Sequence, residues 1–404
     1  MIVRRFLLWA REASPGHRAE ATAALAKAFL YSDLTESDRW EAETALTAML
    51  DDPSPVVRRA MAESLCGSPD APRHIVVSLA ADVSEVAELV LARSPVLIDP
   101  DLVDAAAIGD GRVQCAVAGR PNLSAGVAAA LGEIGRPDAL VRLAANPGAE
   151  IADATFARIV ERHGDDGRVR EALLARDDLP VDIAQAIATA LARSLESFVV
   201  GCGWLSPERS GRIAREARER TAVALSSRSE REDVGRLVAH LRNSDQLTPA
   251  LILRAILSGE IGFVEAAFCE LSGLSPKRVA GFCRDGAGHG FRAMFARAGL
   301  PVTLQPAFEA ALAAWRGGRA DGRPGAAKLS RRAIERALVA CSDLPADGAG
   351  RLIALLRRFE VEAARDEARL IAEELADEAA LDIVMRHAPD MLADGREDRS
   401  TLAA

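Results

Sequence analysis

Aromatic residues are scarce in this sequence of 404 residues. They make up 4% of the chain, with Tyr31 as the single tyrosine, whereas apolar residues together make up 49%. Alanine, leucine and arginine dominate, and β-branched residues are sparse. Strands are filled mainly by β-branched and aromatic side chains, whereas helices favour the residues found here. The composition therefore excludes a large β-sandwich and predicts an all-α protein with a sizeable core.

Patterns of disulfides, targeting and membrane insertion are missing too. The six cysteines lie far apart without a CxxC pair, which predicts small buried side chains in a reducing compartment. The apolar run that starts at Phe6 breaks at Arg11, too early for a signal peptide. The longest apolar stretches, such as Phe198 to Leu205, are much shorter than a membrane span. We therefore expect a cytoplasmic protein without membrane contact.

Positive charge is in deficit over most of the chain. The net charge is −9, and residues 1–200 carry 20 basic and 30 acidic groups, a balance of −10. Residues 201–350 carry 22 and 16, a balance of +6, and residues 351–404 return to −5. Nucleic-acid binding requires a basic footprint. The charge therefore makes nucleic acid an unfavourable partner overall and leaves one local possibility in the middle of the chain.

Catalytic motifs are absent from the sequence. There is no Gly-x-Ser-x-Gly elbow, and no histidine lies in a nucleophile motif. The run from Gly286 to Gly290 precedes a helix, where it would hold a phosphate, but no strand precedes it, so we predict a loop between helices. Cys269, Cys283 and His289 offer three soft ligands at a spacing that matches no metal signature. We expect no enzyme activity, metal or cofactor, the alternative being an enzyme whose site is assembled only in three dimensions.

Internal repetition is the strongest pattern that the sequence does contain. Aspartates recur at intervals of 30, 28, 28 and 27 residues, at Asp52, Asp82, Asp110, Asp138 and Asp165. Prolines recur every 26 residues, at Pro69, Pro95, Pro121 and Pro147. Apolar residues between them follow helical spacing, as at Val57, Met61 and Leu65. The pattern predicts units of about 28 residues, each made of two short helices joined by a proline-marked turn, with the proline starting the second helix. Such units stack into a HEAT-like α-solenoid.

The rest of the chain divides around these repeats. We predict N-terminal capping helices in residues 1–50, repeats in 51–195 and a helical module in 196–316. A glycine-rich linker in 317–325 then leads to C-terminal helices in 326–404, with a loose tail from Pro389. Ser206-Pro207, Thr248-Pro249 and Ser275-Pro276 predict three helix starts, because each places a capping residue before a first-turn proline.

Two stretches resemble a known family. They are Leu50 to Leu65, LDDPSPVVRRAMAESL, and Leu247 to Leu271, LTPALILRAILSGEIGFVEAAFCEL, with Ala298-Gly-Leu-Pro301 beyond the second. Together they resemble the uncharacterised bacterial family known as domain of unknown function 2336, over roughly residues 1–315. The repeats themselves are similar to HEAT and leucine-rich-variant repeats. The resemblance implies an all-helical fold, and it indicates no particular activity because none is established for the family.

Similarity to HEAT repeats also suggests a role for the aspartates and the arginines that follow them. In such repeats an acid and an arginine bond between neighbouring units, and three arginines suit that role: Arg58, Arg142 and Arg170. The candidate acids are Asp52 for Arg58, Asp138 for Arg142, and Asp165 or Asp166 for Arg170. The alternative is that these arginines line a groove for an anionic partner.

Residues 206–242 contain nine arginines interleaved with six acids. Arg212 and Arg215 belong to a three-residue spacing that leaves a basic stripe on a helix, although interleaved charges usually form a solvated, salt-bridged face. Trp204 either anchors a partner or fills the core where the repeats meet the next module. These residues, with the three arginines above, are the candidates for partner binding.

The sequence favours a non-catalytic scaffold that binds another protein, since repeat arrays expose long continuous surfaces. The alternative is a nucleic-acid-associated repeat protein that uses residues 206–242.

Overall fold

The computed structural model describes residues 6, 8–286, 288–316, 328–342 and 346–397, with side chains for 350–379 in the last stretch. These residues contain many helices and no strand, and their one β-bridge joins Leu123 to Ala149. The all-α fold predicted from the composition is confirmed.

The chain forms two compact units, Met1–Ser210 and Gly211–Ala404. The sequence places the end of the repeats near residue 195, which lies inside a continuous helix, Val181–Gly201. That helix begins as the second member of a repeat pair but is 21 residues long. The repeat pattern is therefore lost in the middle of a helix, and its loss does not mark the end of a structural element. The predicted linker, 317–325, lies outside the described residues.

The first unit begins with α1 (Pro15–Tyr31) and α2 (Glu36–Ala48), followed by the 3₁₀ turn Met49–Asp51. Five helix pairs follow: α3 (Pro55–Leu65) with α4 (Arg73–Ala80), α5 (Ser84–Arg93) with α6 (Asp99–Ile108), α7 (Gly111–Ala118) with α8 (Ala125–Ile134), α9 (Pro137–Ala144) with α10 (Asp153–His163), and α11 (Gly167–Leu174) with α12 (Val181–Gly201). Successive pairs begin 26 to 30 residues apart, in agreement with the predicted period.

The helices of this unit stack in two rows. α1, α3, α5, α7, α9 and α11 pack in succession along one row, and α6, α8, α10 and α12 pack along the other. Val57, Met61 and Leu65, predicted to form an apolar face, are fully buried in the continuous core. Helices this short are unstable alone, so stacking supplies most of their stability. The packing is consistent with a solenoid-like arrangement.

The repeating prolines do not start helices. Pro69, Pro95, Pro121 and Pro147 lie in the turn within each pair, four to six residues before the second helix. The prediction was wrong because a turn accommodates the fixed φ and missing N–H of proline as well as a first helical turn does.

The second unit begins within α13 (Pro207–Ser226). It continues with α14 (Arg231–Asn243), α15 (Pro249–Leu257), α16 (Ile261–Ser272), α17 (Pro276–Asp285), α18 (His289–Arg297), α19 (Gln305–Arg316), α20 (Arg331–Cys341) and α21 (Ala346–Glu397). The three predicted Ser/Thr-Pro starts are confirmed at α13, α15 and α17. At α15 the Thr248 hydroxyl accepts a hydrogen bond from the Leu251 N–H at 3.1 Å.

α15 is the central helix of this unit. Every residue from Leu251 to Leu257 is buried, including Arg254. A helix that is apolar on all sides belongs in a core, and α15 packs against α16 and α19.

The last helix extends further than predicted. α21 continues through Pro389 to Glu397, where the sequence predicts a loose tail, and residues 398–404 lie outside the described part of the chain. Leucine, methionine, alanine and arginine flank Pro389, and these residues favour helix.

Among the described residues, α12 alone is long and apolar enough to cross a membrane by length and composition. The core helix of a soluble protein passes the same test, and Ile183 and Ile187 of α12 are buried. The absence of membrane contact therefore stays a prediction.

Candidate protein-binding groove

Arg58 joins two repeats through a bidentate ion pair. Its Nε and Nη2 donate to the Asp82 carboxylate at 2.5 and 2.8 Å, and its Nη1 donates to the Asp52 carbonyl at 2.5 Å. Arg18 holds the Asp52 carboxylate in the same way, at 2.7 and 2.8 Å. Burial opposes ionisation of Asp82, but the Arg58 hydrogen bonds, the Val83 N–H and the charge of Arg58 together outweigh it and hold the Asp82 pKa below its usual range. The inter-repeat ladder thus exists at Arg58, with Asp82 in place of the Asp52 carboxylate.

The other predicted ladder pairs do not form. Arg170 donates to the Gly164 carbonyl at 2.7 Å, at the end of α10. Asp138 instead accepts from Arg168 at 2.6 Å, and Asp166 caps α11 by accepting from the Arg168 N–H at 2.9 Å. The predicted pairs do not form because Asp138 pairs with another arginine and Asp166 caps a helix, while Asp165 accepts a hydrogen bond from the Ser194 hydroxyl at 3.0 Å.

A second ladder joins the repeats and was not predicted. Arg120 donates to the carbonyls of Leu91 and Ser94, and Asn146 Nδ2 donates to those of Ala118 and Arg120, at 2.5 to 2.9 Å. These side chains satisfy carbonyl groups that would otherwise be left at helix ends and turns. Arg120 and Asn146 each precede one of the prolines spaced by 26 residues. Their recurrence at this position is the sequence feature that could have predicted the second ladder.

A groove of about 720 Å³ opens on the first unit, along α5, α7 and α9. We call it the arginine groove. Its lining residues are Glu88, Leu89, Ala92, Arg93, Asp110, Gly111, Arg112, Cys115, Ala116, Arg136, Asp138 and Arg142.

The acids of the arginine groove already have partners. Glu88 accepts from Arg112 at 2.9 Å, and Asp138 accepts from Arg168 at 2.6 Å. Asp110 accepts from the Ser84 hydroxyl at 2.7 Å and from the first N–H groups of α7, so its pKa is lowered by these hydrogen bonds.

Three arginines of the groove have no such partners. Arg93, Arg136 and Arg142 are exposed, and their guanidinium groups make no hydrogen bond or ion pair with any residue that the structure describes. Arg142 lies over Gly119, where an added Cβ would come within 2.8 Å of its Nε, and Arg136 passes over Gly111. The groove therefore presents unpaired guanidinium groups to a ligand, with Arg142 among them.

Cys115 lies in the same groove. Burial and the neighbouring Asp138 raise the pKa of its thiol. A protonated thiol is a poor nucleophile at neutral pH, so this cysteine contributes a small, weakly polar surface.

Arg212 and Arg215 are both exposed on α13 and belong to the second unit. The acids beside them are engaged elsewhere, since Glu216 accepts from Arg358 at 2.7 Å. The structure therefore keeps the two arginines as a solvent-facing pair, separate from the residues of the arginine groove.

Trp204 is not a core residue, contrary to the structural interpretation of the sequence. It is 69% exposed and packs edge-to-face against Phe198, with ring centroids 5.7 Å apart. Leu195 and Phe198 of α12 are also more than half exposed. The core position was predicted from the apolar character of the ring alone. An aromatic ring can also lie on the surface when another aromatic ring packs against it.

The candidate metal ligands do not form a metal site. No group of three or more His, Cys, Asp or Glu side chains suited to a metal occurs among the described residues. Burial raises the pKa of the Cys283 thiol to about 12, and Glu265 and Cys269 reinforce the shift. A thiol must lose its proton to bind zinc, so this environment opposes metal binding.

The glycine-rich run is filled by side chains of the protein. Arg316 donates to the carbonyls of Arg284 and Asp285, and it lies where a Cβ at Gly286 would stand. A Cβ at Gly290 would meet the Phe282 ring at 2.4 Å. The glycines at these two positions therefore have packing roles, and Ala287 lies outside the described residues.

Sequence reasoning also missed a buried ionic cluster in the second unit. Arg254 donates to both oxygens of Glu362 at 2.6 and 3.0 Å, and its Nε lies 3.8 Å from Glu219. Its guanidinium also lies 4.6 Å from the centre of the Phe359 ring. The arginine within an apolar helix is the sequence feature that could have predicted this cluster, because a buried charge requires a partner.

These observations define an all-α protein of stacked short helices with an open groove of unpaired arginines. The sequence profile of the family described as "Uncharacterised protein conserved in bacteria (DUF2336)" matches residues 86–347. The chain belongs to this family. No curated protein and no solved structure matches it. The match begins after the Leu50 to Leu65 stretch and extends beyond residue 315, so the predicted limits of the resemblance were wrong at both ends.

Proposed function

We propose that the protein is a non-catalytic scaffold, and that the arginine groove binds an acidic segment of another protein. One observation carries the proposal: the acids of the groove are satisfied within the protein, whereas Arg93, Arg136 and Arg142 are not. Guanidinium groups form strong paired hydrogen bonds with carboxylates. A segment bearing two or three carboxylates matches the three arginines in charge.

A short acidic segment suits this groove better than a nucleic acid. The groove lining has four arginines against three acids, whereas residues 1–200 as a whole carry an acidic surplus of ten charges. These charges repel a long phosphate backbone within a Debye length of about 8 Å. A short segment escapes most of this repulsion because it contacts few residues beyond the groove.

Binding without chemistry is supported by the groups that line the groove. They are guanidinium groups, bonded carboxylates and a thiol whose pKa burial raises. None of these provides an activated nucleophile at neutral pH. The proposal includes a cytoplasmic location, which the separated free cysteines support.

The proposal is tested by fluorescence anisotropy with a labelled peptide of six glutamates at low salt. Reversing Arg136 and Arg142 together (Arg136→Glu, Arg142→Glu) should weaken binding by about tenfold or more, since each lost charge-assisted bond contributes about 1.5 kcal/mol. Arg193→Glu is the matched control, because Arg193 is exposed in the same unit and lies outside the groove.

Purification from the native cell then identifies the partner. The scaffold proposal expects a protein with an acidic segment that co-purifies with the wild type and is lost with the double variant. Equal peptide affinity in the wild type and the double variant would remove the groove from the proposal.

A further inference from the structure

The second unit contains a cavity of about 500 Å³ lined by the end of α13, by α14 and by α16. We call it the serine–glutamate cavity. Its size lies within the range of small-molecule sites, about 300–1,000 Å³. It consists wholly of residues between Ser226 and Pro276, so it is separate from the arginine groove and from the Arg254 cluster.

Two glycines widen this cavity without serving the packing of the chain. Gly235 lies in α14 and Gly262 in α16, and a Cβ added to either would meet no atom within 4 Å. Glycine disfavours a helix interior. The open space beside both glycines lets a ligand come close to the two helix backbones.

The charge of the cavity is negative. Glu260, Glu265 and Glu270 line it, against Arg231 as its one lining arginine. Glu270 is bonded to Arg242 at 2.8 Å, whereas Glu265 has Arg231 at 3.5 Å, on a side chain that is 86% exposed. Glu265 is therefore held only loosely and can take a stronger cationic partner.

Ser226 gives a second, independent indication of a ligand. It is 5% exposed and lines the cavity, and its hydroxyl has no hydrogen-bond partner among the described residues. The neighbouring Ser227 and Ser229 hydroxyls donate to backbone carbonyls of α13 at 2.8 and 2.7 Å. The Ser226 oxygen makes no such bond and is not sealed inside the protein, so it is open to a molecule in the cavity.

We propose that the serine–glutamate cavity binds a small organic cation, an aliphatic amine or guanidine, between Glu265 and Ser226. The cationic group pairs with the Glu265 carboxylate and donates to the Ser226 hydroxyl. Its aliphatic stem packs against Val234, Val238 and Ala266, which supply the apolar part of the wall. Neutral and anionic molecules lack the attraction to the carboxylates, which gives the site its selectivity.

The test is isothermal titration calorimetry on the full chain with putrescine and agmatine as probes. Butyrate and 1-butanol serve as anionic and neutral probes of similar size. We expect saturable binding of at least one cation and none of butyrate or 1-butanol. Absence of binding by both cations at about 10 mM, a range typical of very weak sites, or equal binding of butyrate, would overturn the proposal.

Variants locate the binding within the cavity. Gly262→Leu fills the open space, and Glu265→Gln removes the carboxylate while keeping its shape; each should weaken cation binding at least tenfold. Gly281→Leu is the matched control, since Gly281 also lies within a helix, faces open space and is outside the cavity. Wild-type affinity in Glu265→Gln would contradict the site even if the Gly262 variant fails to fold.

A further titration distinguishes two possible ligands, a free amine and a lysine side chain of another protein. N-acetyl-lysine N-methylamide carries the same ammonium group within a peptide backbone. Weaker binding of this compound than of putrescine supports a small-molecule site, and tighter binding would overturn that part of the proposal.

Discussion

Single arginines in the first unit differ sharply in what they contribute to stability. The Arg58 side chain is 15% exposed and pairs with an Asp82 side chain that is 11% exposed, whereas Arg142 is exposed without a partner. Arg58→Ala leaves the Asp82 carboxylate largely buried and unpaired. We expect it to lower the free energy of unfolding by about 1–3 kcal/mol, measured by urea denaturation at pH 7.

Arg142→Ala is the matched control for that measurement. Removal of the Arg142 side chain should change the free energy of unfolding by about 0.5 kcal/mol or less, as at other exposed sites. The effect of Arg58→Ala should also shrink as the pH falls below about 4. The reason is that the folded-state pKa of Asp82 lies below its unfolded value, so the stabilisation is present above the unfolded pKa and is lost on acidification. Equal destabilisation by the two substitutions would show that the ladder at Arg58 does not stabilise the fold.

At the scale of residues, spacing predicts which positions are structural but not which atoms pair. The aspartate period predicted the spacing of the helix pairs, which begin 26 to 30 residues apart. The similarity to HEAT repeats assigned Arg142 to Asp138, yet Asp138 pairs with Arg168 of the following helix pair. Such choices depend on side-chain directions across helices, which a single sequence does not contain.

At the scale of elements, a buried ion pair joins α15 to α21. Glu362 of α21 binds Arg254 in two places, and Arg220 reaches it at 2.6 Å. Burial opposes its ionisation, but the hydrogen bonds and the positive charges of the two arginines together outweigh it and lower the Glu362 pKa. Burial raises the pKa of Glu219, the other carboxylate near Arg254. Glu362 is therefore the main counterion of this arginine.

Glu362→Gln should lower the free energy of unfolding by about 3 kcal/mol, because it leaves Arg254 buried with an inadequate partner. Thermal and urea denaturation of the full chain measure the effect. Glu367→Gln is the control on the same helix, since Glu367 is 55% exposed and lies 3.5 Å from Arg331. Similar losses in both variants would show that α21 is held by general packing instead of by this pair.

Helix starts in this chain were predictable where a capping residue and a proline stand together. Thr248-Pro249 fixes the start of α15 by a side-chain bond and a preset φ, both of which are local. The burial of α15 on every side was not predicted, although its run of apolar residues is visible. That burial depends on α16, α19 and α21, which come together only in the folded unit.

At the scale of the whole molecule, charge decides between a protein partner and a nucleic acid. Residues 206–242 carry nine arginines and six acids, a surplus of three. The structure reduces the available charge further, because Arg220, Arg231 and Arg242 pair with Glu362, Glu265 and Glu270. Few counterions would be released on binding to DNA, and counterion release supplies most of non-specific affinity.

We therefore expect only weak binding of random duplex or single-stranded DNA, at or above about 10⁻⁴ M at physiological salt. An anisotropy titration at several salt concentrations measures it, with the Arg212→Glu, Arg215→Glu double variant as the comparison. Both arginines are exposed on α13, so this variant alters the basic stripe without disturbing an ion pair. Micromolar binding with a steep salt dependence, abolished in the double variant, would place a nucleic acid ahead of an acidic protein as the partner. It would also move the binding surface from the arginine groove of the first unit to α13.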